Sequence, residues 1–446
     1  MESQFSIRAA PKGFGGLLRN IGPGVVVSGS VVGSGELLVT TRMGADVGFV
    51  FLWGVIVAAV VKYFIQLELG RQCILRGDTT IQALNRLPGL RLCNTSWIAW
   101  LCIIGYLCTM LALVGILSAV AGLMVTIMPA ISLNVWATII FILLSILLYR
   151  GLYNDLEKMV TFLVAAFSVI VIGSVLMVQG TPYAITGAQL ASGFHFAMPA
   201  EGAFVALAVM GSVGATAVEL FMYPYWIKEK GYPAFVGERD QSAEWEERYR
   251  GWMRVVTTDA GVCTIIALAI TCAYYLLGAS ILNKLNVQPQ GFEVVNQVSH
   301  IFTESIGLWA KGLFMFGAFC TLFSTLLVFA ASSGRIGADF LHQIGVGSLD
   351  TSEARTRMIR ILQIGFALLW LILLVIYATD QPFVLLLMGA NANNLLLIPL
   401  AYGILHLAMT TVSELRMSIW VEIGLMVTIW VIVNFTAINL YLKWTG

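Results

Sequence analysis

Two segments of this sequence share one unusual pattern, a glutamate inside a glycine-rich stretch that is otherwise apolar. The first, residues 29–38, carries Glu36, and the second, residues 211–221, carries Glu219. A carboxylate within a membrane-spanning stretch costs about 2.5–3.5 kcal/mol or more, so such a residue is typical of a functional site. Glycine-interrupted spans at matching places in two halves of a chain indicate an inverted repeat with a substrate site at the interruptions.

The composition assigns the chain to the membrane proteins. Hydrophobic residues make up 59% and charged residues 11% of its 446 residues, whereas soluble domains carry about 25% charged residues. A net charge of +1 leaves no large basic face, so nucleic acid is not expected as a partner. The seven cysteines form no CxxC pair and are expected to be small core residues. The sequence contains no GxxxxGK[ST], HExxH or GxSxG element, so neither an enzyme nor a cofactor is expected.

Apolar stretches of about 20 residues predict membrane spans. About eleven are predicted, near 22–45, 47–70, 97–127, 134–149, 157–178, 201–228, 255–277, 312–334, 358–378, 383–407 and 417–441. The first and sixth contain the two glutamate segments and are expected to be broken. We therefore predict an all-α, polytopic membrane protein in contact with the lipid bilayer.

The order of spans also predicts how the chain is organised. A cytoplasmic segment (1–20) is followed by a first five-helix repeat (21–178), an extracellular loop (179–200), a second five-helix repeat (201–407) and an eleventh helix with the C-terminus (408–446). If the N-terminus is inside, most lysines and arginines fall on inner loops, as the positive-inside rule requires. A multi-pass protein of the bacterial plasma membrane with a cytoplasmic N-terminus is expected.

Four short motifs carry a family resemblance. They are Gly22-Pro23-Gly24 and the following residues to Ser28, Leu69-Gly70 at the end of the second span, Leu156-Glu157 entering the fifth, and Gly214-Ala215-Thr216 in the sixth. With this order of spans, the chain resembles the Nramp family of metal-ion transporters, as a divergent branch within the LeuT-type fold class. The resemblance implies a 5+5 inverted repeat, broken first and sixth helices, and secondary transport by alternating access.

The sequence departs from the family pattern at the positions that the resemblance assigns to the metal. Gly33-Ser34-Gly35-Glu36 stands where the family carries Asp-Pro-Gly-Asn, whose Asp and Asn bind the ion. Val218-Glu219-Leu220 stands where the family has a Met that supplies a sulfur ligand. The third span, which carries proton-linked acids in the family, has no Asp or Glu between Trp97 and Met128. Transport without the usual proton coupling is therefore expected.

Two carboxylates beside freed backbone carbonyls would form an oxygen-only environment, which suits hard cations. Magnesium binds through one or two carboxylates and keeps several waters, so Mg²⁺ is the first expected substrate and Mn²⁺ the next. Glu36 and Glu219 are predicted as metal ligands that lie close together near the membrane midplane. The remaining predicted site residues are Gly33, Gly35 and Ala217 as small neighbours, and Asn391, which the resemblance aligns with a family Gln.

Several alternatives remain open from the sequence. The same fold class includes transporters of small organic solutes, so an amine or amino acid would explain the loss of the family's ligands. A non-transporting sensor or scaffold is a third class, in which the two glutamates are structural. Lys62, inside the second span, either pairs with one glutamate, extends to the interface or makes another polar contact. Asp259, at a span end, is expected to be interfacial.

Overall fold

The protein is a bundle of long helices. The computed structural model describes residues 7–33, 35–150, 153–198, 203–287, 303, 307, 309–347, 351–377, 382–411 and 415–445. Within these residues, the only strands are the short antiparallel pair β1 (Arg91–Leu92) and β2 (Thr95–Ser96). The short helices are Gly13–Asn20, Thr80–Asn85, Gly187–Ser192 and Tyr232–Val236.

In the described part of the chain, ten helices are long and apolar enough to cross a membrane, and an eleventh apolar helix is shorter. Span 1 comprises Pro23–Val31, Gly35–Thr40 and Thr41–Val47, and span 6 comprises Ala203–Ser212 and Ala217–Lys230. The others are span 2 (Leu52–Arg76), span 3 (Trp97–Ile127), span 4 (Leu133–Arg150), span 5 (Tyr153–Val178), span 7 (Ala243–Leu277, continued by Gly278–Leu282), span 8 (Ala310–Gln343), span 9 (Ser352–Tyr377), span 10 (Pro382–Thr410) and span 11 (Ile419–Thr445).

Spans 1 and 6 are interrupted, as the glycine-rich segments predict. In span 1 the α-helix ends at Val31, and the chain resumes at Gly35 as a wider π-helical turn. In span 6 Gly214 adopts a φ of +65°, a left-handed conformation that glycine takes without strain and that a helix cannot continue through. Each interruption therefore leaves backbone N–H and C=O groups without a helical partner.

The two broken spans lie at the centre of the bundle. The most apolar windows of spans 1 and 6 are 94% and 100% buried, whereas those of spans 5 and 9 are only 28% buried. The first helix of span 1 packs against spans 5, 7 and 8 and the second helix of span 6, and span 3 packs along span 10. Unpaired backbone groups are tolerated at membrane depth only where protein or a cavity surrounds them, which explains this central position.

The largest difference from the predicted boundaries lies at the start of span 7. Span 7 begins at Ala243, whereas hydropathy predicts its start near residue 255. The additional turns contain several charged residues, which lower the local hydropathy, but Trp245, Tyr249 and Trp252 bury one face of them. Helical structure therefore continues beyond the apolar stretch.

Candidate functional site between the two broken helices

The two interruptions touch each other through backbone. A Cβ atom placed on Gly35 would lie 2.4 Å from the carbonyl oxygen of Ser212, so no larger residue fits there without movement. Gly35 begins the second part of span 1, and Ser212 ends the first helix of span 6. The absence of a side chain on Gly35 is thus what brings the two broken helices together.

Glu36 is fully buried and connects three spans. Its Oε2 atom accepts a hydrogen bond from the Gly33 N–H (3.2 Å), and its Oε1 atom accepts from the Gly214 N–H and the Thr271 hydroxyl (both 3.3 Å). Two of these donors are backbone groups freed by the interruptions of spans 1 and 6, and the third comes from span 7. The Gly33 N–H also donates to the Val31 carbonyl at 2.8 Å, so it is the Gly214 N–H and the Thr271 hydroxyl that depend on this carboxylate.

Glu219 lies in the first turn of the second helix of span 6 and forms a capping box with Thr216. The Thr216 N–H donates to its Oε2 atom at 2.6 Å, and the Glu219 N–H donates to the Thr216 hydroxyl oxygen at 3.4 Å. The partial positive charge of a helix N-terminus also favours a carboxylate in this position. Local helix capping thus fixes the orientation of Glu219.

A small cavity of about 30 Å³ lies between the interruptions and spans 3, 8 and 10. That volume holds about one water-sized occupant. The Ser212 hydroxyl is buried without a hydrogen-bond partner among the described residues, so it is available to bind a polar occupant of the cavity. The polar residues that line the cavity are Ser30, Ser212, Thr216, Glu219, Thr325 and Asn393.

The cavity contains part of the predicted site. Gly35 and Glu219 line it, whereas Glu36 is not among its lining residues and accepts from the Gly214 N–H instead. Ala217, a small residue, directly follows the N-cap Thr216, which lines the cavity. Glu36 nevertheless accepts from the Gly214 N–H and Glu219 from the Thr216 N–H, so the two carboxylates bind backbone groups two residues apart in the interruption of span 6.

In span 10 the cavity is lined by Asn393 and not by Asn391. The Asn393 Oδ1 atom accepts from the Val218 N–H at 3.4 Å, which is another backbone group at the start of a helix in span 6. The Asn391 amide donates to Leu387 O in its own helix at 2.8 Å. Residues two positions apart on an α-helix point to different faces, and the sequence alone does not show whether Asn391 or Asn393 faces the cavity.

Lys62 is buried in span 2 and contacts span 6. Its Nζ atom donates to the carbonyl oxygen of Val213, in the interruption of span 6, and it interacts electrostatically with both Glu219 and Glu36. The side chain therefore does not extend to the membrane surface. Of the alternatives open from the sequence, a polar contact other than an ion pair with a glutamate is the one observed among the described residues, because the partner is a backbone carbonyl.

Asp259 has a role that sequence reasoning missed. It is buried within the protein, at the start of span 1. Its carboxylate accepts from the Gly22 N–H (2.9 Å), the Gly24 N–H (2.6 Å) and the Tyr223 hydroxyl (2.9 Å). It thereby caps the N-terminus of the first helix of span 1 and holds that half-helix against span 7. Its sequence position near a charged segment gave no signal of this cap.

The donor set at the cavity is composed of oxygen atoms. In the residues that the structure describes, no group of three or more His, Cys, Asp or Glu side chains forms a conventional metal cluster. No described residue that lines the cavity carries a sulfur or an imidazole. One carboxylate, hydroxyls and an amide would suit a hard cation better than a soft one.

Comparison with known proteins agrees with this architecture. The family described as natural resistance-associated macrophage protein-like (Nramp) matches residues 24–445. No curated protein matches the chain. The fold is similar to that of a manganese transporter from Eremococcus coleocola, with a TM-score of 0.68 and 15% identity over 98% of this chain and 89% of that one.

More distant transporters share the fold as well. MhsT in complex with L-phenylalanine aligns with a TM-score of 0.60 and 13% identity, over 98% of this chain and 99% of that one. Mhp1, a nucleobase-cation-symport-1 family transporter, aligns with a TM-score of 0.55 and 14% identity, over 97% and 94% of the two chains. These similarities confirm the predicted all-α, LeuT-type fold.

Proposed function

The chain belongs to the natural resistance-associated macrophage protein-like (Nramp) family, and on that premise we propose that it is a secondary transporter of a hard divalent cation. Mg²⁺ is the leading substrate and Mn²⁺ the next. The cation binds between the interruptions of spans 1 and 6 and reaches either side of the membrane by alternating access. Glu219 is proposed as a direct ligand, and Glu36 supplies the second carboxylate.

The observation that carries this proposal is the cavity beside Glu219. It has room for about one water-sized occupant, it is lined by oxygen donors, and it contains a buried hydroxyl of Ser212 without a partner. A buried carboxylate and an unpaired hydroxyl are costly unless an occupant compensates them. A divalent cation does so, because it attracts the carboxylates and accepts electron pairs from neutral oxygens.

The lack of sulfur favours Mg²⁺ over softer metals. Thioether and imidazole ligands favour late transition metals, while carboxylate, carbonyl and hydroxyl oxygens suit Mg²⁺ and Mn²⁺. Gly33, Gly35 and Ala217 are proposed as small neighbours of the substrate. At Gly33 and Gly35 the missing side chain lets the Thr325 hydroxyl and the Ser212 carbonyl oxygen approach the interruption of span 1 closely. Asn391 stays a proposed neighbour of the substrate on the evidence of the resemblance, and Asn393 is added because it lines the cavity.

The organic-solute alternative is less well supported. Pockets that enclose drug-sized molecules have volumes of about 300 Å³ or more, whereas this cavity measures about 30 Å³. An amine or amino acid would require a much larger site in another conformation. The structural similarities to MhsT and Mhp1 concern the fold alone and do not favour this alternative.

We propose further that transport is not coupled to protons through span 3. A proton relay needs a chain of titratable side chains, and span 3 has no Asp or Glu. The Tyr106 hydroxyl is bonded to the Ser333 hydroxyl at 2.7 Å. Substrate-driven acidification of liposomes that vanished on changing a span 3 residue alone would contradict this proposal. We also propose the bacterial plasma membrane as location, with a cytoplasmic N-terminus.

Calorimetric titration of the purified protein with Mg²⁺, Mn²⁺ and a panel of amines and amino acids tests the substrate class. The proposal predicts saturable binding of Mg²⁺ and Mn²⁺, and no comparable heat from the organic compounds. The substitution Glu422→Gln, in span 11 and away from both interruptions, is the matched control for loss of one carboxylate and should bind as the wild type does. Saturable binding of an amine without binding of either metal would establish the organic alternative instead.

A further inference from the structure

One peptide unit in the interruption of span 6 connects a buried cation to a buried anion. The Val213 carbonyl oxygen accepts from Lys62 Nζ, and the N–H of the next residue, Gly214, donates to Glu36 Oε1. These two groups are the ends of the same peptide bond, so its dipole is aligned between the ammonium and the carboxylate. Glu219 follows in the same interruption of span 6, where its carboxylate accepts from the Thr216 N–H.

The arrangement changes the charge of the empty site. Counted as formal charges, two carboxylates alone give −2, and Lys62 reduces this to −1. When a divalent cation is bound, the same groups total +1, whereas without the lysine they would total zero. With Lys62, the empty and the loaded site therefore carry net charges of equal magnitude.

We propose that Lys62 is the resident counter-charge of the empty site, and that it allows the unloaded carrier to change sides, so that the protein catalyses net transport. This inference rests on the proposed function, because it concerns the same divalent substrate. Without Lys62, only the loaded site is neutral, and the protein becomes an exchanger of cation for cation.

The physical reason is the cost of moving buried charge. That cost grows with the square of the net charge in the Born description, so a site of −2 is far more expensive to close off from water than a site of −1. For the loaded site, removal of the lysine lowers the net charge from +1 to zero, so the cost of closing that site falls. Loss of Lys62 should therefore slow only the return of the empty carrier, which exchange does not require.

Two flux assays on the purified protein in liposomes separate these steps. Net transport is measured as Mg²⁺ or Mn²⁺ uptake into metal-free liposomes under an inward gradient. Exchange is measured as tracer Mn²⁺ uptake into liposomes that already contain unlabelled Mn²⁺. The wild type should perform both. Lys62→Met should lose net transport by about tenfold or more while exchange is retained.

The chain offers a matched control one helical turn away. Gln66 is buried in the same span and carries no charge. Gln66→Met introduces the same side chain without removing a charge, so net transport and exchange should both be retained. A purely structural effect of altering span 2 would reduce both fluxes together.

The double variant Lys62→Met/Glu36→Gln restores a formal charge of −1 to the empty site. It should recover net transport relative to Lys62→Met, at a higher substrate concentration because one proposed ligand is missing. If the single variant does not fold, this charge-balanced variant carries the test. Net uptake at a rate close to that of exchange supports the inference, and exchange alone overturns it.

The outcomes distinguish this inference from the proposed function. Full net uptake by Lys62→Met, or a wild type that only exchanges, would overturn the role of Lys62 and leave cation transport standing. A wild type that moves neither Mg²⁺ nor Mn²⁺ in either assay would contradict the proposed function, and the inference would be rejected with it.

Discussion

The interruptions of spans 1 and 6 each carry a buried glutamate, but the two glutamates have different surroundings. Glu36, in span 1, accepts hydrogen bonds from donors on spans 1, 6 and 7 and does not line the cavity. Glu219, in span 6, is held by its own helix N-terminus through Thr216 and lines the cavity. The first glutamate joins segments that are distant in sequence, whereas the second is positioned locally and faces the space where a substrate fits.

The difference gives Glu36 a second task, holding the broken spans together, in addition to its proposed action on the cation. A carboxylate that bridges several spans contributes to the stability of the broken helices, and its removal leaves their donors unpaired. A carboxylate in a local cap is expendable for folding by comparison, because helix caps contribute only about 1 kcal/mol. The sequence motif is duplicated, but the three-dimensional roles have diverged.

The largest expected effect on stability is that of Glu36→Ala compared with Glu219→Ala. Removing Glu36 leaves the Gly214 N–H and the Thr271 hydroxyl without their acceptor. We expect a loss of about 3 kcal/mol, against about 1 kcal/mol for Glu219→Ala. Thermal unfolding of the detergent-solubilised protein measures the difference. Equal destabilisation by the two substitutions would show that the two settings do not differ as described.

The next effect concerns the backbone contact between the interruptions. Gly35→Ala places a Cβ atom 2.4 Å from Ser212 O, and relieving that overlap should cost about 1–3 kcal/mol. Gly173→Ala in span 5 is the matched control, because nothing lies within 4 Å of its added Cβ atom. The control should be neutral or slightly stabilising in thermal unfolding. If Gly35→Ala behaved as the control does, the two interruptions would not be in close contact.

The smallest effect distinguishes two asparagines of span 10. Asn393→Ala removes an amide oxygen from the cavity wall and should weaken Mg²⁺ binding about fivefold to tenfold. Asn391→Ala removes a bond to its own helix and should leave the affinity unchanged. Calorimetric titration of both variants compares them. The reverse order of effects would favour the residue that the family resemblance aligns with the site.

The sequence predicts the bundle because hydropathy and the placement of glycines act locally. Each interruption is recognisable from glycines beside a buried glutamate, and the boundary of span 7 is wrong only where charged residues share a helix with Trp245 and Trp252. Helical periodicity and the cost of burying a carboxylate are properties of short segments, so they are visible without coordinates.

The partners of the charged side chains are not visible in the same way. Lys62 contacts Val213 O, which is distant in sequence, and Asp259 caps a helix that begins at Pro23. Such contacts depend on how spans rotate and pack, and a lysine or aspartate in an apolar stretch is compatible with several rotations. The separation of Glu36 from the cavity has the same origin, because it follows from the packing of three spans.

The central claim is that Glu36 and Glu219 act on one cation, and a double-mutant cycle tests it most directly. Mg²⁺ affinity is measured by calorimetry for the wild type, Glu36→Gln, Glu219→Gln and the double variant. We predict that each single substitution weakens binding by about tenfold or more, and that the double variant binds little worse than the weaker single one, because the effects of residues that share a ligand are not additive. Wild-type affinity for Mg²⁺ in both single variants would contradict the account.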